Sequence, residues 1–146
     1  MTSQKFYGAF EGMVSLLVNE NHSSCFSEMF RFDEDEEQQD PTEEDEDDAI
    51  MEFTNITTNA IISFIDNRLR CEHDFHLPES VQGLAPQILF DKLQEYNLTD
   101  AFVSTISFHN LLRINADLVI SFDNQSFQKF VKMSENFDMT KAGKPA

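Results

Sequence analysis

The 146-residue chain is short of three things: positive charge, cysteine and long apolar runs. Ten Lys and Arg stand against 27 Asp and Glu, a formal charge of −17, so there is too little cationic surface to neutralise a phosphate backbone, and nucleic-acid binding is not expected. A basic surface on a protein partner suits the sign better. The two cysteines, Cys25 and Cys71, supply neither a disulfide framework nor paired metal knuckles, and they fit reduced thiols in a cytoplasm. No basic-plus-apolar leader opens the sequence and no run has the length of a bilayer span, which predicts a cytoplasmic protein without a membrane segment. The Asn-x-Ser/Thr triplets at Asn21, Asn55, Asn97 and Asn124 then read as chance.

What is present argues for a core. Fifteen Phe and a 40% hydrophobic fraction predict one folded domain over residues 1–146, small enough to gain from a partner. Over residues 5–19, KFYGAFEGMVSLLVN, the spacing of Phe6, Phe10, Met13, Val14 and Leu17 predicts an amphipathic helix, weakened by Gly8 and Gly12. Residues 21–32 fit a short strand or a helical turn. Pro78 and Gly83 punctuate an extended stretch, and PQILFDKLQEY (86–96) reads as a helix with Ile88, Leu89, Leu93 and Tyr96 on one side. AFVSTISF (101–108), with Phe102, Ile106 and Phe108 on one face, reads as a strand. It is paired with a second strand within 111–122 through a hairpin near His109-Asn110. Asp123 can cap a last helix carrying Phe127, Phe130, Val131 and Phe137, and the tail over 139–146 should be loose. The expected class is α+β, an antiparallel sheet packed against long amphipathic helices.

From Asp33 to Asp48 twelve of sixteen residues are acidic. Self-repulsion favours a solvated linker over 33–47, running into a helix. A calcium loop is the sharper alternative, because Asp33, Asp35, Glu37 and Glu44 take positions 1, 3, 5 and 12 of an EF-hand pattern. Gln38 occupies the turn position that needs glycine and Pro41 interrupts, which argues against it. Asp40 as cap, Pro41 at the first helical position and Glu43 at capping-box spacing predict a helix from about Pro41 to about Leu69, ending before CEHDFHLP.

That helix carries two stripes. Ile50, Phe53, Ile56, Ala60, Ile61 and Phe64 form an apolar one, while Asp48, Glu52, Asn55 and Asn59 form a narrow polar one that should face away from the core. A helix needs some polar outer face, but two Asn within five residues do nothing for helix propensity.

The spacing Asp48, Glu52, Asn55, then 22 residues to Pro78, resembles the signature of the CheC, CheX and FliY family of chemotaxis phosphatases. EFTNITTNAIISFI is similar to that family's Glu-x-Gly-Asn-Ile helix, with Thr54 where the family has Gly. LPESV resembles its Pro-x-Val strand start, with Leu77 where a Pro-Pro pair is frequent. LAPQILFDKLQE, AFVSTISF and ADLVISFDNQSFQKFVKM resemble its following helix, paired strands and last helix, so the likeness covers about residues 40–138. The sequence has room for one signature and little of the first pseudo-repeat.

The resemblance implies a CheC/CheX-like fold and dephosphorylation of an aspartyl-phosphorylated CheY-like response regulator. Such a regulator holds its own Mg²⁺, so no cofactor or metal is expected on this protein. Placement of a water for in-line attack is then what the phosphatase must add. Asn55 would orient that water, its amide oxygen accepting from the water while the NH₂ is held elsewhere. Glu52 would pair with the regulator's Lys, Asp48 would support or dock, Asn59 would extend the stripe, and Pro78 would set the strand that buttresses the helix. A single site and an incomplete first repeat further imply a homodimer that completes the sheet or core.

Cys71, His73, Asp74 and His76 could suggest zinc, but they lie at a helix end without a second ligand pair, and solvated polar residues leading into a strand account for them better. Two alternatives stand beside the phosphatase. One is a family member that binds a regulator without hydrolysing its phosphate; the other is an acidic module that docks basic proteins through residues 33–48.

Overall fold

The computed structural model describes residues 1–19, 42–109 and 113–136, with side chains at all of these except 108, 109, 113 and 114. The expectations for 21–32, for the linker and calcium pattern before Thr42, and for Phe137 and the tail lie outside the described residues. In sequence order the elements are β1 (Thr2–Gly8), β2 (Gly12–Val18), α1 (Glu43–Leu69), β3 (His73–Phe75), β4 (Glu79–Ser80), α2 (Ala85–Glu95), β5 (Asp100–His109), β6 (Arg113–Phe122) and α3 (Asn124–Glu135). The class is α+β. The six strands form one antiparallel sheet in the order β3-β1-β2-β6-β5, with β4 sharing the outer edge of β1 with β3. No helix among the described residues is long and apolar enough to cross a membrane.

The helix predicted over residues 5–19 is instead the β1–β2 hairpin, in register Thr2↔Leu16 to Phe6↔Gly12. Met13, Val14, Ser15 and Leu16 are all buried, so β2 is covered on both faces and loses the alternation that marks a half-exposed strand. Its apolar residues then fall by accident at helical spacing from Phe6 and Phe10. Both glycines are needed where they stand. Gly8 has φ +145°, and a Cβ there would lie 2.4 Å from the Glu72 carbonyl oxygen; one on Gly12 would lie 2.4 Å from that of Ser121.

Partners in an antiparallel ladder share a face, so the register sorts the side chains. Thr2, Leu16 and Leu118 lie on one side, with Gln4, Val14, Ile120 and Phe102, and with Phe6 and Phe122. This side meets α1 and α3: Thr2 shares a hydrogen bond with Thr54 of α1, and the Phe122 ring stacks on Phe130 of α3 at 5.5 Å. Phe6, Phe10 and Phe122 are at most 2% exposed, and burial of each contributes roughly 1.5–3 kcal/mol. On the other side, Lys5 sits 4.1 Å from the Tyr96 ring centre and Glu79 pairs with Lys92 at 3.0 Å, which places α2 there. The Lys92 ammonium holds the Glu79 carboxyl below its ordinary pKa.

The long helix begins two residues later than its expected cap. Thr42 is the N-cap: its hydroxyl accepts from Asp45 N–H and its own N–H donates to the Asp45 carboxylate, a capping box in place of the one expected from Asp40, which lies outside the described residues. The acidic residues Glu43–Asp47 are therefore helical, and they favour the positive end of the helix dipole. α1 stops at Leu69 as expected, because Arg70 turns left-handed at φ 56°. The stretch after Pro78 holds only the two-residue β4. The β5–β6 hairpin closes at His109↔Arg113, and α3 is capped by Asp123, whose carboxylate accepts from Ser126 N–H at 2.8 Å.

Candidate functional site

α1 meets the sheet through Ile50, Thr54, Thr58 and Ile62, four residues apart and all buried. The apolar stripe read from the sequence is therefore turned partly outward. Ile50, Phe53 and Ile61 do pack on the core, but Ile56 is 49% and Phe64 60% exposed, and Ala60 is exposed as well. Two threonines can take the inner face because Thr54 is satisfied there: its hydroxyl donates to the Ile50 carbonyl at 2.8 Å and shares a 2.5 Å hydrogen bond with Thr2. Thr54, which stands where the resembled family has Gly, thus faces β1 and not the outer surface.

Thr54→Val is expected to cost about 1–3 kcal/mol in urea unfolding, since it leaves the buried Thr2 hydroxyl without its partner. Adding Thr2→Val should recover most of that loss, because an apolar pair of the same shape strands nothing.

The polar stripe divides in two. Asp48 and Glu52 are exposed, whereas Asn55 and Asn59 are half-buried and turn toward the sheet edge. Gln4 of β1, only 2% exposed, donates through Nε2 to Asn55 Oδ1 and to the His76 carbonyl, each at 2.8 Å. Asn59 Nδ2 donates to the Asn55 backbone carbonyl at 2.7 Å and to Asn55 Oδ1 at 3.0 Å. Backbone carbonyls only accept, so the near atoms of Gln4 and Asn59 must be nitrogens, and the Asn55 atom between them must be oxygen. The amide oxygen of Asn55 is therefore the held end and its NH₂ the other, the reverse of the arrangement expected from the sequence.

Pro78 follows closely on the same network. It lies half-buried between β3 and β4, where the outer strand breaks, two residues from the carbonyl that Gln4 grips. Asp47, one residue before the expected Asp48, ties α1 to this segment: its carboxylate accepts from Ser80 Oγ at 3.2 Å and Gln82 Nε2 at 2.7 Å. Glu52, Asn55, Asn59 and the Pro78 segment are thus brought to one flank of α1, while Asp48 stands exposed one turn before Glu52. A cavity of about 440 Å³ at the start of α1 is lined by Thr2, Leu16, Asp47, Ile50 and Ser80, and none of the stripe residues lines it.

A second cluster formed where solvated residues were expected. The His73 side chain is fully buried between Phe6 and Phe10, with its Nδ1 2.5 Å from Asp66 Oδ1 and its Nε2 accepting from Phe10 N–H at 3.2 Å. Cys71 donates its thiol to Asp66 at 3.3 Å. Burial, then the Asp66 carboxylate, pushes the Cys71 pKa up to about 11. These three residues lie close enough to bracket a metal ion, but both ring nitrogens of His73 are engaged and the thiol is held protonated, which suits a structural lock. His76 and Asp74, the other residues weighed for zinc, are exposed and do not join it.

No protein-family model matches the sequence, and no curated protein matches it.

Proposed function

We propose that the protein is a phosphatase for an aspartyl-phosphorylated, CheY-like response regulator, with the outer flank of α1 as its working surface. The observation that carries this reading is an exposed carboxylate, Glu52, one turn ahead of an amide, Asn55, whose orientation is clamped by the sheet. Glu52 pairs with a lysine of the regulator, and the acidic first turns of α1 favour a basic approach. The reaction makes one bond from a water oxygen to phosphorus and breaks the bond from phosphorus to the aspartyl carboxylate, which leaves with its electron pair. The water proton passes to the released phosphate.

Asn55 exchanges no proton in this scheme. Its outward N–H groups donate to the reacting assembly, holding the water in line or sharing the phosphoryl charge, and such placed donors act strongly where water is excluded. The regulator supplies Mg²⁺, and Asp48, Asn59 and Pro78 support the surface. Exposed Leu77 and Ile56 border it and give a partner apolar contact. A homodimer belongs to the same reading: β5 is the outermost strand beside β6, with Phe102 and Val103 exposed.

One observation favours a second reading. Both lone pairs of Asn55 Oδ1 are taken, so an amide that must accept from the water is not on offer, and a non-catalytic regulator-binding protein would need no such acceptor. The lifetime of a phosphorylated regulator separates the two. The phosphatase shortens it at substoichiometric concentration, and Glu52→Ala raises KM about tenfold by removing one charge-assisted contact. Measured binding with an unchanged lifetime would establish the second reading instead.

A further inference from the structure

We infer that Gln4 is a positioning residue: bridged to the His76 carbonyl, it decides which end of the Asn55 amide the partner meets. The inference rests on the phosphatase reading for what Asn55 then does, though the orientation itself does not.

An amide at the end of an asparagine rotates in a broad, nearly two-fold well, so C=O and NH₂ exchange places at little steric cost. Something has to break that symmetry. Gln4 does so from a buried site in β1, since a single nitrogen reaches both the His76 carbonyl and Asn55 Oδ1. Asn59 adds the second donor from within α1.

Gln4 is also a costly residue to keep. Its ladder partner is Val14, with Ile120 and Phe102 beyond on the same face, an environment that a leucine or methionine would suit. Its Oε1 is buried without a hydrogen-bond partner among the described residues, a penalty on the order of 1–3 kcal/mol. A polar residue retained against that penalty is expected to act through its other end.

That end joins three parts of the fold. β1, α1 and the segment leading to Pro78 meet at the Gln4 amide, so the strand break at Pro78 and the face of Asn55 are set together. A partner then finds two N–H donors beside the Glu52 carboxylate, a pattern that matches an oxyanion next to a cation.

The test is a mutant cycle on kcat and KM with a phosphorylated regulator, beside the NMR signals of the Asn55 amide NH₂. Gln4→Met is expected to lower kcat about tenfold, the value of one hydrogen bond, with KM within about twofold. The same change in an Asn55→Ala background should have no further effect, and the Asn55 NH₂ signals should shift in Gln4→Met alone. An unchanged kcat with unshifted signals would overturn the inference, as would an equal loss in the Asn55→Ala background, which marks general damage to the fold. Should Gln4→Met not fold, Asn59→Ala removes the other donor from a half-buried site and is read in the same way. If Asn55→Ala keeps the full rate, the phosphatase reading falls; the NH₂ signals then decide the positioning role by themselves.

Discussion

Replacing His73 by alanine is expected to lower stability by about 3–5 kcal/mol, the range for truncating a large buried aromatic ring to a methyl group. The ring does three things at once. It covers the Asp66 carboxylate in the last turn of α1, accepts the Phe10 N–H of the β1–β2 turn, and fills the space between Phe6 and Phe10. Without it the Asp66 carboxylate loses a hydrogen-bond donor, and the turn loses an acceptor. Thermal unfolding followed by circular dichroism should show a midpoint lower by roughly 10 °C or more. Asp66→Asn should cost less, because an amide oxygen can still accept from Nδ1–H. Treatment with a chelator should leave the wild-type midpoint unchanged, since His73 has no free nitrogen to offer a metal. A chelator effect as large as that of His73→Ala would instead make the cluster a metal centre.

The elements legible in the sequence are those whose signals are local. The β5–β6 hairpin has one strand face of Phe102 and Ile106, α3 has its Asp123 cap, and α2 carries its proline in the first turn, one residue after its start at Ala85. The β1–β2 hairpin was hidden because Met13, Val14, Ser15 and Leu16 are buried on both faces, so no alternation survives to be counted. The rotation of α1 was hidden for a related reason. Hydropathy counts Thr54 and Thr58 as outward and Ile56 and Phe64 as inward, but Thr2, 52 residues from Thr54 in sequence, makes an inward threonine acceptable.

The candidate site shows the same split. Glu52, Asn55 and Pro78 could be named from spacing, and the structure does place Asn55 in a hydrogen-bond network that ends at the His76 carbonyl, two residues before Pro78. Which end of Asn55 faces outward could not be read, since it depends on Gln4, 51 residues away, and on a backbone carbonyl. Asp47 rather than Asp48 reaches Ser80 and Gln82 for a similar reason: adjacent helical residues lie about 100° apart, and only the pose on the sheet selects between them. His73 read as solvated because its partners Asp66 and Phe10 are brought together only by the turn after α1 and the hairpin.

If the protein is the phosphatase proposed above, Asn55→Ala is expected to remove about 10²–10³-fold of the acceleration of regulator dephosphorylation, the range found for one preorganised donor at a reacting centre. Because the donor acts in the transition state, kcat should carry the loss and KM should change little. Asn55→Asp is the more informative change. A carboxylate still offers Gln4 and Asn59 the oxygen they hold, so the local network survives, but the outward donors become an oxygen bearing negative charge. If donation is what Asn55 contributes, Asn55→Asp loses at least as much as Asn55→Ala, because the new charge also repels the phosphoryl group and crowds Glu52. If the outward end instead had to accept from the water, the aspartate would keep much of the rate that alanine loses. Single-turnover decay of a phosphorylated regulator, with binding measured separately, therefore distinguishes a donor from an acceptor at the one position where the sequence and the structure disagree about direction.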